Sequence, residues 1–100
     1  MKVNINSVHF KTDKKLEYFI EKKIGKLSGL SESLIGSEVT LRVDNSETRD
    51  NKVAEIRLLI KGHDLYAKKQ SKTFEEATDT AVDALKKQLE KIKAKVKNKI

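Results

Sequence analysis

Apolar and polar residues alternate at the start of the chain. Val3 and Ile5 stand between Lys2, Asn4 and Asn6, the period of two that marks a strand with one buried face. The period then lengthens. Leu16, Phe19, Ile20, Ile24 and Leu27 follow helical spacing, which predicts a helix from about Lys14 to Ser28 with Thr12 or Asp13 accepting from its first free amides. Gly25 falls inside this helix, where glycine costs roughly 1 kcal/mol against alanine; close approach of another backbone would rationalise it. Ser28-Gly29-Leu30-Ser31 closes the helix. Alternation returns over Ser37 to Ser46, with Val39, Leu41 and Val43 on one face, and over Val53 to Lys61, with Ala54, Ile56, Leu58 and Ile60 inward. Asp44 to Lys52 is a polar hairpin loop between them. Gly62-His63-Asp64 predicts a tight turn into a weaker, lysine-rich strand from Leu65 to Lys72, the composition of a protected sheet edge. Thr73-Phe74-Glu75-Glu76 has the form of a capping box. A long helix follows, with Phe74, Ala77, Ala81, Leu85, Leu89, Ile92 and Val96 as its stripe.

The predicted order is β-α-β-β-β-α. A helix between the first two strands makes them parallel with a right-handed crossover, and the two later links are hairpins. Each helix has a single apolar stripe, so both cover the same face of a four-stranded mixed sheet. The expected fold is an α+β two-layer sandwich. Its other sheet face is wet, with Thr40, Arg42, Glu55 and Arg57 exposed. A last helix of about 25 residues measures roughly 37 Å, longer than a short strand, so its end is expected to project beyond the sheet.

Charge changes the picture. The chain has a formal net charge of +7, and residues Lys86 to Ile100 hold seven of its lysines against the single acid Glu90. A nearly neutral body ending in a dense cationic stretch suggests a polyanionic partner. Acids fill the first half of the last helix (Glu75, Glu76, Asp79, Asp83) and lysines its second half, a polarity that also complements the helix dipole. On the helical wheel Lys87, Lys91 and Lys95 follow one flank of the stripe, and Lys86, Lys93 and Lys97 the other. Lys15, Lys22 and Lys26 line one flank of the first helix. If the helices pack side by side, Lys22 and Lys26 extend one of these rows into a surface able to track phosphates, contacts that position a protein without reading sequence. With few aromatic residues, and Phe19 and Phe74 in core stripes, a base-stacking platform is not expected. Shape and phosphate recognition of structured RNA fits better.

The absences are equally informative. No cysteine is present, so no disulfide framework holds the fold, and His9 and His63, far apart in sequence, make a poor metal site. No glycine-rich phosphate loop or nucleotide fingerprint occurs, and no serine sits in a nucleophile motif. Glu75, Glu76, Asp79 and Asp83 read as cap, dipole complement and solvated face rather than catalytic carboxylates. No catalytic residue, metal, cofactor or small-molecule substrate is expected. No apolar run reaches the roughly 20 residues of a membrane span, and the N-terminus lacks the apolar block of a signal peptide; one soluble cytoplasmic domain over residues 1–100 is the expectation. The lysines alone admit two further readings: a solubilising helix end, and a helix lying on anionic lipid. The second is weakened because the apolar stripe is needed by the core and lacks tryptophan.

Several segments together resemble the short ribosome hibernation-promoting factors, also called ribosome-associated inhibitors or sigma-54 modulation proteins. They are Gly62-His63-Asp64-Leu65-Tyr66-Ala67, Thr73-Phe74-Glu75-Glu76-Ala77, Asp79, Asp83-Ala84-Leu85, Lys86 to Lys95, and Lys22-Lys23-Ile24-Gly25-Lys26-Leu27. The resemblance implies binding in the cleft of the small ribosomal subunit, on the path of mRNA and tRNA. Two basic helices would contact 16S-type rRNA there and keep the ribosome idle in starvation or stationary phase. It implies RNA-binding roles for Lys23, Lys26, Gln88, Lys91, Lys93 and Lys95; Lys22 and Lys87 join them from the surface argument. Lys23 lies nearer the apolar stripe and must snorkel. Long members carry a second domain that dimerises ribosomes. A chain complete at Ile100 would lack that route and is expected to be a monomer off the ribosome. The alternative from another class is a regulatory interaction module whose basic helix docks an acidic protein.

Overall fold

The computed structural model describes residues 2–8, 10–44 and 49–97, with side-chain surroundings given as far as residue 92. The elements are β1 (Lys2–Ser7), α1 (Lys14–Gly25) running into a 3-10 helix (Lys26–Leu30), β2 (Leu34–Val43), β3 (Lys52–Ile60), β4 (His63–Ser71) and α2 (Phe74–Lys97). The four strands lie in the order β1-β2-β3-β4, with β1 parallel to β2 and the other pairs antiparallel. This is the predicted α+β sandwich, with both helices against one face of the mixed sheet.

The sheet's inner face and the helical stripes form one core. Ile20, Ile24 and Leu27 from the first helical segment and Ala77, Ala81, Leu85 and Leu89 from α2 close over Val39, Leu41, Ala54, Ile56 and Leu58. The alanines at positions 77 and 81 let the α2 backbone approach the sheet, while Leu85, fully buried, fills the space beyond them. Phe10 and Phe74 stack with ring centroids 4.9 Å apart at one end of the core, a separation in the favourable range for aromatic pairs. Two buried hydroxyls, Ser37 Oγ and Thr78 Oγ1, have no hydrogen-bond partner among the described residues.

Caps set the helix starts. The Asp13 carboxylate accepts from Leu16 N at 2.7 Å, and Thr73 Oγ1 accepts from Glu76 N at 3.0 Å. The return bond from the Glu76 side chain to Thr73 is not formed among the described residues, so the capping box is half realised. Asp13 rather than Thr12 is the first cap; the Thr12 hydroxyl instead donates to Glu17 Oε1 at 2.7 Å.

Element boundaries differ from expectation where partners distant in sequence decide. β2 begins at Leu34 because Leu34 pairs with Ile60, with a register shift before Gly36. Gly36 lies opposite Lys2, and a Cβ there would meet Lys2 O at 3.0 Å, so a side chain would push β1 away. His63 pairs with Ile60 and Asp64 with Leu59, which makes both part of β4 and shortens the turn to Lys61-Gly62. Gly62 takes the positive φ of 96° that the tight reversal needs. The β2–β3 loop closes through Asp44 N donating to Asn51 O at 2.8 Å; its tip, the predicted end of β2 at Ser46, and His9 lie outside the described residues.

The α1 segment tightens at Gly25, where Ser28 Oγ donates to the Gly25 carbonyl at 2.6 Å and satisfies one of the free carbonyls of a helix end. Among the described residues no backbone approaches Gly25: a Cβ there meets nothing within 4 Å, so close packing does not rationalise the glycine. Its φ of −57° and ψ of −29° are helical. Gly25→Ala is therefore expected to stabilise the fold by about 0.5–1 kcal/mol, seen as a higher melting temperature.

Candidate nucleic-acid interface

α2 carries its lysines past the sheet. Leu89 and Ile92 lie beside Ile60, Lys61 and His63 at the β3–β4 turn, and the helix continues to Lys97, about 8 Å farther at 1.5 Å per residue. The particle extends 50 Å along its longest axis against 25 and 19 Å across. The basic end of the helix therefore projects, as the length argument predicted.

Two grooves flank α2. In the first, between α2 and the α1 segment, Lys23, Lys26 and Lys86 surround a floor of Leu27, Leu30 and Val82. In the second, between α2 and β4, Lys87, Gln88 and Lys91 face Lys69 across Thr80 and Ala84. The helical wheel separated these flanks correctly. Lys26 does join Lys86, but Lys22, although exposed, lines neither groove. Lys93 and Lys95 are helical in backbone, and their side chains lie outside the described residues.

Acids temper both grooves. Lys23 Nζ lies 3.0 Å from Asp79 Oδ1 and 5.6 Å from the Phe19 ring centroid, so the expected snorkelling takes a definite form: the ammonium bridges the two helices. Lys87 Nζ lies 3.4 Å from Asp83 Oδ2, one helical turn away. Such partly exposed pairs contribute about 0.2–1 kcal/mol each, but they commit two of the expected phosphate ligands to internal partners. Lys26, Lys69, Lys86 and Lys91 form no ion pair among the described residues. Gln88 Nε2 donates to the Tyr66 carbonyl at 3.2 Å. That bond ties α2 to β4 and uses one of the two N–H donors of the glutamine's amide.

The opposite sheet face is polar but internally paired. Tyr66 donates to Glu55 Oε1 at 2.8 Å, and Arg42 Nε lies 3.5 Å from Glu55 Oε2. The Tyr66 hydrogen bond, aided by Arg42, holds the Glu55 carboxyl below its ordinary value, and Glu55 in turn pushes the Tyr66 phenol up. A depressed carboxyl pKa contributes stability that is present above the unfolded value and lost as pH falls through the folded one. The raised phenol contributes stability that is present below its ordinary value and lost as pH rises through the folded one. Tyr66→Phe is thus expected to cost about 0.5–1 kcal/mol near neutral pH, with the difference from the native protein shrinking as pH falls below the ordinary carboxylate range and Glu55 protonates. Urea titrations at several pH values check this.

Comparison with known proteins decides the lineage. Residues 3–97 match the family model described as Sigma 54 modulation protein / S30EA ribosomal protein. The chain belongs to this family. Members of the sigma 54 modulation / S30EA family are ribosome-associated, non-enzymatic factors. Among solved structures, the chain resembles the Thermus thermophilus Protein Y N-terminal domain with a TM-score of 0.80 at 19% identity, over 92% of this chain and 99% of that one. It also resembles a ribosomal subunit interface protein from Coxiella burnetii with a TM-score of 0.82 at 17% identity, over 94% and 99% respectively. At these identities the likeness is one of fold. No curated protein sequence matches.

Among the described residues no helix is long and apolar enough to cross a membrane, and no cluster of histidine, aspartate and glutamate is placed to hold a metal. Sequence reading missed Lys69. Its signal was the alternation of β4: a residue two beyond the inward Ala67 faces the helices.

Proposed function

We propose that this member of the family silences translation by occupying the mRNA and tRNA path of the small ribosomal subunit in starvation or stationary phase. The observation that carries the reading is the pair of lysine-lined grooves on either side of α2, in a chain whose family is ribosome-associated. Lys26 and Lys86 on one side and Lys91 on the other, which form no ion pair among the described residues, present their ammonium groups to 16S-type rRNA phosphates. Lys22, Lys93 and Lys95 add to that field, while Lys23 and Lys87 contribute by exchanging their aspartates for phosphate. No bond is made or broken: the sandwich is a rigid plug, and its contacts fix position rather than read bases. Residues 1–100 act as one ribosome-binding unit in the cytoplasm, monomeric off the ribosome.

Co-sedimentation with purified ribosomal subunits across a salt series tests this. With about six phosphates engaged, log affinity falls against log salt with a slope of roughly −5, and small-subunit binding is lost when mRNA and tRNA already fill the channel. No binding to either subunit at low salt sinks the proposal and leaves docking to an acidic protein as the better account.

A further inference from the structure

We propose that Lys69 of β4 completes a second phosphate-binding site, built with Lys87, Gln88 and Lys91 in the groove between β4 and α2, whose ligand is the backbone of structured RNA. This inference rests on the ribosome-binding reading and adds a sheet residue to an interface otherwise made of helices.

The pleat of the edge strand places Lys69. It lies opposite Ala54, which is fully buried beneath the helices, and two residues beyond Ala67, which is 6% exposed. Side chains two apart in a strand share a face, so Lys69 stands on the helix side of the sheet. There it lines one groove with Lys87 and Lys91, which are one helical turn apart, a rise of roughly 6 Å. The frame is fixed by the bond from Gln88 Nε2 to the Tyr66 carbonyl, which joins the helix to the strand three residues before Lys69. The strand and the helix that carry these charges are thus joined before any ligand arrives, which lowers the ordering cost of binding.

Its electrostatics call for an anion. Three ammonium groups face one carboxylate, Asp83, and that carboxylate is taken by Lys87. Lys69 and Lys91 form no ion pair among the described residues. Like charges held across a groove repel, and a phosphate between them turns that repulsion into attraction. Asp83 lies between Thr80 and Lys87 along the groove, so the positive charge that α2 gives the site is concentrated from Lys87 onward, toward the projecting lysines.

Edge protection is the competing reason for a lysine in β4, and the strand contains its own control. Lys68 is adjacent, carries the same charge and is also exposed, but it lies opposite Glu55 on the outer face. Lys68→Gln and Lys69→Gln therefore remove the same charge from opposite sides of one strand.

The experiment measures small-subunit affinity against salt for both variants and the native chain, with thermal melts as the folding control. The expected result is a slope shallower by about 0.9 for Lys69→Gln alone, so that its deficit narrows about threefold between 50 and 200 mM salt. Lys68→Gln should track the native protein. Equal losses in both variants would reduce Lys69 to net charge and overturn the site, as would a Lys69→Gln line parallel to the native one. Native binding displaced by polyglutamate as readily as by rRNA would assign the groove to acidic protein and also overturn it. Failure of the native chain to bind small subunits at low salt is a separate result, and it overturns the ribosomal reading itself.

Discussion

Replacing Lys26 and Lys91 together by glutamate is expected to weaken binding to the small ribosomal subunit by roughly 100-fold or more. The two residues sit on opposite sides of α2, one in each groove, and neither forms an ion pair among the described residues. A hydrogen bond to a charged group contributes about 1.5–3 kcal/mol, and reversal adds repulsion to that loss. The affinity line against log salt should also become shallower by about 1.8 for two lost phosphate contacts. Both side chains are exposed and outside the core, so the melting curve should shift little, with a stability change within about 0.5 kcal/mol. Each single reversal should give part of the loss if both grooves touch RNA. Should only Lys26→Glu matter, the groove toward β4 faces solvent in the complex. If the double variant co-sediments like the native chain, neither groove holds RNA.

The two flanks of α2 are distinguishable in the sequence because the helical wheel is a local property. A straight helix repeats every 3.6 residues whatever surrounds it, so Lys86 and Lys87 were assigned to opposite flanks before the neighbours of those flanks were known. The same holds for the sheet. The alternation of Val39 with Leu41 and of Ala54 with Ile56 and Leu58 marks the buried face directly, and element order restricts the topology. What stayed hidden depends on contacts between distant segments. His63 looks like a turn residue beside Gly62, and only its pairing with Ile60 makes it part of β4. The row from Lys22 to Lys26 assumed a continuous α-helix. The chain tightens into a 3-10 helix at Lys26, which ends the 100° spacing on which that row was drawn. Asp79 reads as a solvated acid because its lysine partner depends on packing: Lys23 comes from another helix, whereas the Asp83–Lys87 pair follows from i, i+4 spacing within α2. The groove toward β4 needed both kinds of information. The period of two put Lys69 on the inner face, but nothing local said that the flank of α2 bearing Lys87 would lie over β4 rather than over α1.

Leu85→Ala is expected to cost about 2–5 kcal/mol, a large share of the roughly 5–15 kcal/mol that holds a domain of this kind together. Leu85 is fully buried and sits immediately before Lys86 and Lys87, so it anchors the turn from which both grooves diverge. The small neighbours Ala77 and Ala81 bring α2 close to the sheet but offer no side-chain atoms able to swing into the space a leucine leaves. The cavity term should therefore fall toward the upper part of that range. Urea unfolding should show a lower midpoint with an unchanged slope, the mark of lost stability without a changed unfolded state. At about 4–8 °C per kcal/mol for a domain of this size, the melting temperature should fall by at least about 10 °C. The effect on the ribosome should be the reverse of the lysine reversals. At low temperature, where the variant remains folded, affinity and salt slope should match the native protein, because every groove lysine is still present on the same helix. A loss below about 1 kcal/mol would mean that α2 resettles onto the sheet. In that case the grooves move with it, and the salt slope of the variant should depart from the native line even though no charge has changed.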